Sequence, residues 1–180
     1  MQTNRSVFAA VACLLSLAAA TVRAALPDIY PDPSRAATEI AAAVKTAAAT
    51  QKRIILDFGG NWCTDCHVLD HYFHDAANAA LLEANYVLVH VNIGHMDANV
   101  DIASRYKIPL SRGVPALAIL DSRGRLLYSQ KTGEFEAMRG MQSGAVTEFL
   151  NRWKRAPAPQ NSRALEGGSL GSASGSSATK

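Results

Sequence analysis

The sequence predicts an α/β domain, a mixed sheet of about four strands with helices on both faces. Two observations predict it. Short apolar runs, Arg53–Phe58 (RIILDF), Tyr86–Asn92 (YVLVHVN) and Val114–Leu120, alternate with helical stretches. A turn signal, Asp121-Ser122-Arg123-Gly124, then leads into a further extended run, Arg125–Gln130.

Each element has a local reason. Ser34–Gln51 is Ala-rich with few breakers and reads as a helix, with Ser34 as its N-cap. RIILDF is short and apolar, as a strand buried on both faces should be. Gly59-Gly60-Asn61 ends it, and Trp62 to about His74 reads as a helix followed by another near Ala76–Ala84. Asp97–Tyr106 is a further helix. Ser143–Trp153 is the last, with Val146, Phe149, Leu150 and Trp153 spaced to share one face. Strands separated by helices call for parallel pairing, and the late hairpin adds an antiparallel edge.

The two ends of the chain read differently. Arg5 precedes an apolar run, Val7–Ala20, and Val22-Arg23-Ala24 offers small residues at a signal-peptidase site. Residues 1–24 are expected to be a secretory signal peptide. The run is too short for the ~20 residues that cross a bilayer, so no membrane span is expected after cleavage, and the protein is expected to be periplasmic or secreted. Cleavage removes Arg5 and Arg23 and leaves 16 basic and 15 acidic residues. No clustered basic face points to a nucleic-acid partner. Residues 156–180, rich in Pro, Gly, Ser and Ala, are expected to be a disordered tail. The domain is then residues 25–155.

Cysteine usage sharpens the function. Cys13 leaves with the signal, so Cys63 and Cys66 are the only pair left. A staple gains most from closing a long loop. Two cysteines with two residues between them close almost nothing, which points to chemistry.

The motif Cys63-Thr64-Asp65-Cys66-His67 admits three chemistries. C-x-x-C after a strand is a thiol–disulfide redox motif, and C-x-x-C-H is a covalent haem attachment pattern. For haem, Met96, Met138 or Met141 could supply a second axial ligand. A metal reading takes His67, His71 and His74, one helical stripe, with a cysteine thiolate. The haem reading makes no use of Asp57, Trp62 or Gly113-Val114-Pro115, and the redox reading uses all of them. A stripe of histidines interleaved with Asp70 and Asp75 is also an ordinary solvated helix face. No metal and no cofactor is expected.

In the redox reading the residues divide the work. At a helix start Cys63 meets free backbone N–H groups and the positive end of the dipole, which favour its thiolate. Cys66, one turn on, is more buried and resolves the mixed disulfide. Asp57 interrupts an apolar strand. A carboxylate that has lost hydration there suits a proton acceptor for Cys66, through water. Asp65 opposes the Cys63 thiolate and a protonated His67 favours it. Exposed pairs of this kind are worth about 1 kcal/mol or less.

IILDFGGNWCTDC resembles the active-site segment of the thioredoxin superfamily: apolar strand, acidic residue, aromatic, then W-C-x-x-C opening a helix. Gly113-Val114-Pro115 is similar to that family's second signature. The resemblance covers about residues 50–153. The stretch HVLDHYFHD with YVLVHVN looks most like the C-terminal domain of the membrane reductant transporter DsbD and related exported proteins. The resemblance implies a thioredoxin fold and a protein-disulfide oxidoreductase. It implies that Pro115 is cis and faces the pair, and that the Val114 backbone receives a substrate segment. Trp62 is expected to pack beside the cysteines. Partners implied are disulfide-containing proteins and a membrane thiol-reductant donor such as a DsbD-like transporter. The His that strongly oxidising relatives carry between the cysteines is missing, which implies a reductase or isomerase-like partner. Three departures stand beside the substrate groove or in the motif: Thr64-Asp65 in place of Gly-Pro, a longer Ile108–Arg112 stretch, and Ala116 where Thr is common.

Overall fold

A computed structural model describes residues 27–155. The expected signal peptide and tail lie outside these residues. Four strands, β1 (Arg53–Gly59), β2 (Tyr86–Asn92), β3 (Ala116–Leu120) and β4 (Leu126–Ser129), form one sheet in the order β2-β1-β3-β4.

The chain enters through a 3-10 turn, Pro33–Arg35, capped by Asp32, whose carboxylate accepts the Ser34 N–H at 2.9 Å. Helix α1 follows over Ala36–Thr50. Ser34 is therefore not the N-cap. Pro33 suits the first helical position, so the chain begins to turn two residues earlier and the cap falls to the acidic residue before it. Helix α1 buries Ala36, Ile40, Ala43 and Ala47. That mostly small-residue face lets it lie close to the sheet.

Strand β1 runs Arg53–Gly59 and is buried from Ile54 onward. It is the centre of the sheet and splits the core. Ile54, Leu56 and Phe58 face α1, whereas Ile55 faces the opposite layer. That layer holds α2 (Thr64–His74), α3 (Ala76–Asn85) and α5 (Ser143–Trp153), with Leu69, Phe73, Val146, Phe149 and Leu150 packed on Leu117 and Ile119. Helix α2 starts later than the sequence suggests. Residues 60–63 close a turn through Cys63 N–H to Gly60 O at 2.9 Å, which leaves Trp62 outside the helix.

Strand β2, Tyr86–Asn92, pairs parallel with β1, and this crossover carries α2 and α3. Strand β3, Ala116–Leu120, pairs antiparallel with β1, and β4, Leu126–Ser129, pairs antiparallel with β3. The expectation of parallel pairing across every helix fails at β3. Helix α4 covers only Val100–Arg105, about 9 Å at 1.5 Å per residue. It is too short to return the chain along a seven-residue strand, so β3 starts at the end where β2 stops. Helix α4 is short because Asp97 and Ala98 both donate to Ile93 O and Asn99 is left-handed, which makes the segment before it a turn.

Among the described residues no helix is long and apolar enough to cross a membrane.

Candidate functional site

The site lies where β1, the start of α2 and the segment before β3 converge. Cys63 and Cys66 are disulfide-bonded, with Cα atoms 5.2 Å apart. Cys63 is the N-cap of α2: its extended backbone lets Sγ accept the Cys66 N–H at 3.1 Å. Its carbonyl also receives the N–H groups of Cys66 and His67. A sulfur in that position faces the unpaired amides of the first turn, the environment that favours a thiolate over a thiol. Cys63 keeps 6% of its surface exposed and Cys66 none.

Across from the pair, the Val114–Pro115 peptide is cis and both residues are buried. The Val114 carbonyl oxygen lies 3.6 Å from Cys63 Sγ. Trp62 turns to the loop after β2. Its Nε1 donates to Gly94 O at 2.6 Å and its ring stacks on His95 at 5.8 Å, leaving the side chain 45% exposed. It stands beside the site as an anchored, half-exposed plate.

The charged neighbours fall differently from a plain solvated face. Asp65 is buried. Its Oδ1 accepts the Arg139 N–H at 2.8 Å, and both its oxygens meet Arg139 Nε. Its charge is therefore matched by a guanidinium and ties α2 to the 3-10 turn Met138–Gly140. His67 is bonded through Nε2 to Asn61 O at 2.9 Å, within the loop that carries the pair. His71 and His74 point elsewhere. His71 is 4.0 Å from Asp75, and His74 Nδ1 meets Asp70 O at 2.8 Å. The stripe His67, His71, His74 does not converge, and among the described residues no group of three His, Cys, Asp or Glu side chains is placed to hold a metal ion. Of the methionines considered as axial ligands, Met138 is fully buried with Met141 against it, in the layer of α2 and α5, and Met96 is exposed.

Asp57 sits on β1 with no exposed surface. Its Oδ2 accepts the Tyr30 hydroxyl at 2.7 Å and lies 2.9 Å from His90 Nδ1. Its Oδ1 is buried and meets no donor among the described residues. His90 is the register partner of Asp57 on β2, and its other nitrogen is 3.6 Å from Asp70 Oδ1 on α2. Burial alone pulls the His90 pKa down, but the hydrogen bond and charge of Asp57, with Asp70 and Glu39 behind them, outweigh it and leave it raised. Burial, and then the neighbouring Asp57 charge, hold the Tyr30 phenol well above its ordinary value, so it keeps its proton. Tyr30 packs edge-on against the His90 ring at 5.1 Å.

Tyr30 reaches this place because Asn61 holds its backbone. Asn61 Oδ1 accepts the N–H groups of Ile29 and Tyr30 at 3.0 and 2.8 Å, and Nδ2 donates to Tyr30 O at 3.0 Å. Gly59 makes the room. A Cβ there would lie 2.4 Å from the Tyr30 hydroxyl oxygen and 2.7 Å from Cys66 Sγ, so those two atoms crowd one point.

The sequence reading singled out neither Tyr30 nor His90. One signal was available. Arg53 apart, Asp57 and His90 are each the one Asp, Glu, His, Lys or Arg in an apolar strand, and aligning the two strands in parallel puts these breaks side by side.

With this geometry in hand, comparison with known proteins is direct. A family model described as thioredoxin-like matches residues 35–122. The crystal structure of a disulphide isomerase from Xylella fastidiosa Temecula1 shares 31% identity, covers 71% of this chain and 98% of that one, and superposes with a TM-score of 0.67. The chain belongs to the thioredoxin-like family. Within that family it is also 26% identical over 118 residues to the thiol:disulfide interchange protein DsbD of Pseudomonas fluorescens. That match spans 64% of this chain but only 18% of the DsbD sequence. The thioredoxin fold expected from the sequence is thus the fold of this protein, and its Cys63–Cys66 pair places it with the family's disulfide oxidoreductases.

Proposed function

We propose that the protein is an exported, periplasmic or secreted, reductase of protein disulfides that works through a Cys63/Cys66 dithiol. The observation that carries this reading is the capping of α2 by Cys63: the more accessible sulfur faces the helix amides and the wholly buried one lies behind it.

In the forward direction the reduced pair meets a disulfide. The Cys63 thiolate attacks one sulfur, a mixed disulfide forms, and the other substrate sulfur leaves as a thiolate. Cys66 then loses its proton to Asp57 and attacks Cys63 Sγ. The internal disulfide forms, the second substrate sulfur leaves as a thiolate, and the pair has lost two electrons. Burial of Asp57 with Oδ1 free of donors supports its role as proton acceptor. Val114 and Pro115 face Cys63, where an extended substrate segment would lie and pair with backbone. Trp62 offers that segment an apolar wall. His67, pinned to the Asn61 carbonyl, acts on Cys63 only through the loop, and Asp65 acts on it as a charge already matched by Arg139. The DsbD likeness supports a membrane thiol-reductant of that kind as the electron donor.

Insulin reduction tests the reading. The protein with dithiothreitol should accelerate precipitation of the insulin B chain. Cys63→Ser should abolish the effect, and Cys66→Ser should trap a mixed disulfide at Cys63. Alkylation of Cys66 alone in the reduced native protein would reverse the two roles.

A further inference from the structure

The cluster behind Cys66 contains more than the proton acceptor. Tyr30 donates its only hydroxyl proton to Asp57 Oδ2, so the lone pairs of its oxygen remain to receive one. The same oxygen and Cys66 Sγ crowd the point where Gly59 lacks a Cβ. Next to them, both ring nitrogens of His90 face a carboxylate oxygen, Asp57 Oδ2 at 2.9 Å and Asp70 Oδ1 at 3.6 Å. An imidazole with an acceptor at each nitrogen is best satisfied as the cation, because both nitrogens then donate.

We propose that the Tyr30 hydroxyl is the proton link between Cys66 and Asp57 during resolution, and that the His90 imidazolium, held between Asp57 and Asp70, sets how readily Asp57 takes that proton. This rests on the thiol-exchange reading above and assigns to it one proton-relay residue, Tyr30, and one positioning residue, His90. As Cys66 attacks the mixed disulfide, its S–H proton passes to the Tyr30 oxygen while the Tyr30 proton passes to Asp57. Tyr30 ends as the phenol it was, Asp57 ends protonated, the Cys63–Cys66 bond forms, and the bond from Cys63 to the substrate sulfur breaks. The electrons come from the dithiol, previously reduced by a thiol donor. The two transfers are concerted, because burial and the Asp57 charge make a free tyrosinate unfavourable. His90 is faced by Asp57 from β1, Asp70 from α2, Tyr30 from the N-terminal segment and Glu39 from α1. His74 in turn sits 3.5 Å from the other oxygen of Asp70.

The test is stopped-flow reaction of the dithiothreitol-reduced, desalted protein with 5,5′-dithiobis(2-nitrobenzoate). Cys63 attack releases the first thionitrobenzoate and Cys66 resolution the second. Tyr30→Phe keeps the ring on His90 and removes the oxygen. Its second phase should slow about tenfold or more, as loss of a proton-transfer group does, with the first phase within about twofold. In His90→Gln the pH dependence of the second-phase rate should differ from that of wild type, because the titrating ring that faces both carboxylates is gone. Equal second phases in wild type and Tyr30→Phe, or equal slowing of both phases, would overturn the link. Superimposable second-phase pH profiles for His90→Gln and wild type would overturn the role of His90. If unmutated protein releases no second equivalent, the thiol-exchange reading itself fails and takes this proposal with it.

Discussion

Two carboxylates flank the cysteine pair, and their surroundings are opposite. Asp65, in the first turn of α2, has both oxygens occupied by Arg139, whose side chain is 66% exposed. Asp57, on β1, is wholly buried, gives one oxygen to two partners and leaves the other without a donor among the described residues. A carboxylate with both oxygens engaged and a solvated partner is a clamp. One that is dry and half engaged can still accept a proton. Distance from the cysteines does not separate these roles, since Asp65 is next to Cys66 in the chain. The partners do.

Substitutions should break that contrast in graded steps. The largest effect belongs to Asp57→Asn. The amide keeps an acceptor for Tyr30 but cannot take a proton, so resolution should slow on the order of a hundredfold. Cys63 alkylation by iodoacetamide should change less than about twofold. Comparable losses at both steps would mean that Asp57 only shapes the site. A gain in stability, which an isolated buried carboxylate would give on neutralisation, is not expected, because this one holds two donors.

Smaller, and read in stability, is the His90 contribution. Its folded pKa is raised above the unfolded value near 6.5. The folded protein therefore keeps this proton in a pH range where the unfolded chain has released it. The stabilisation is complete below about 6.5 and is lost as pH rises through the folded value. Urea midpoints of the oxidised protein should fall over that window, and those of His90→Gln should lack the component. Superimposable pH profiles would mean that the cation does not form.

The smallest effect is expected at the clamp. Asp65→Asn removes an ion pair with a largely exposed arginine, worth about 1 kcal/mol or less, and should leave both exchange steps within about twofold. A resolution defect as deep as that of Asp57→Asn would erase the distinction between the two carboxylates.

Half of this site is written locally and half is not. Cys63, Cys66, Trp62 and Asp57 lie within ten consecutive positions, and the strand–turn–helix around them fixes their order in space. Tyr30 reaches Asp57 across 27 positions and His90 across 33. No local pattern encodes such contacts. They depend on parallel register between β1 and β2 and on Asn61 folding the entering chain back over the loop. The same reasoning explains β3. Its direction follows from how far the connecting chain travels, and α4 proved shorter than the residues around Asp97–Tyr106 suggest. Arg139 was equally invisible as the partner of Asp65, 74 positions away.

The clasp between Asn61 and residues 29–30 has a consequence for modularity. The segment of this chain that matches the family begins at residue 35. Cys63, Cys66, Asp57 and His90 fall inside it, whereas Tyr30 arrives from outside, on a segment with three hydrogen bonds to the Asn61 side chain and one to that of Asn92. The inherited core thus carries the thiols and the acid, and a six-residue flap, residues 27–32, carries the hydroxyl. The flap is fastened by the side chains of two asparagines, Asn61 beneath residues 29–30 and Asn92 at the Pro31 carbonyl, 2.7 Å away, so it can be exchanged only onto a scaffold that offers both. Grafting a flap with Phe in place of Tyr onto this core, or this flap onto a relative that has both asparagines, would move the rate of resolution from one scaffold to another while leaving the cysteines and their helix as they are.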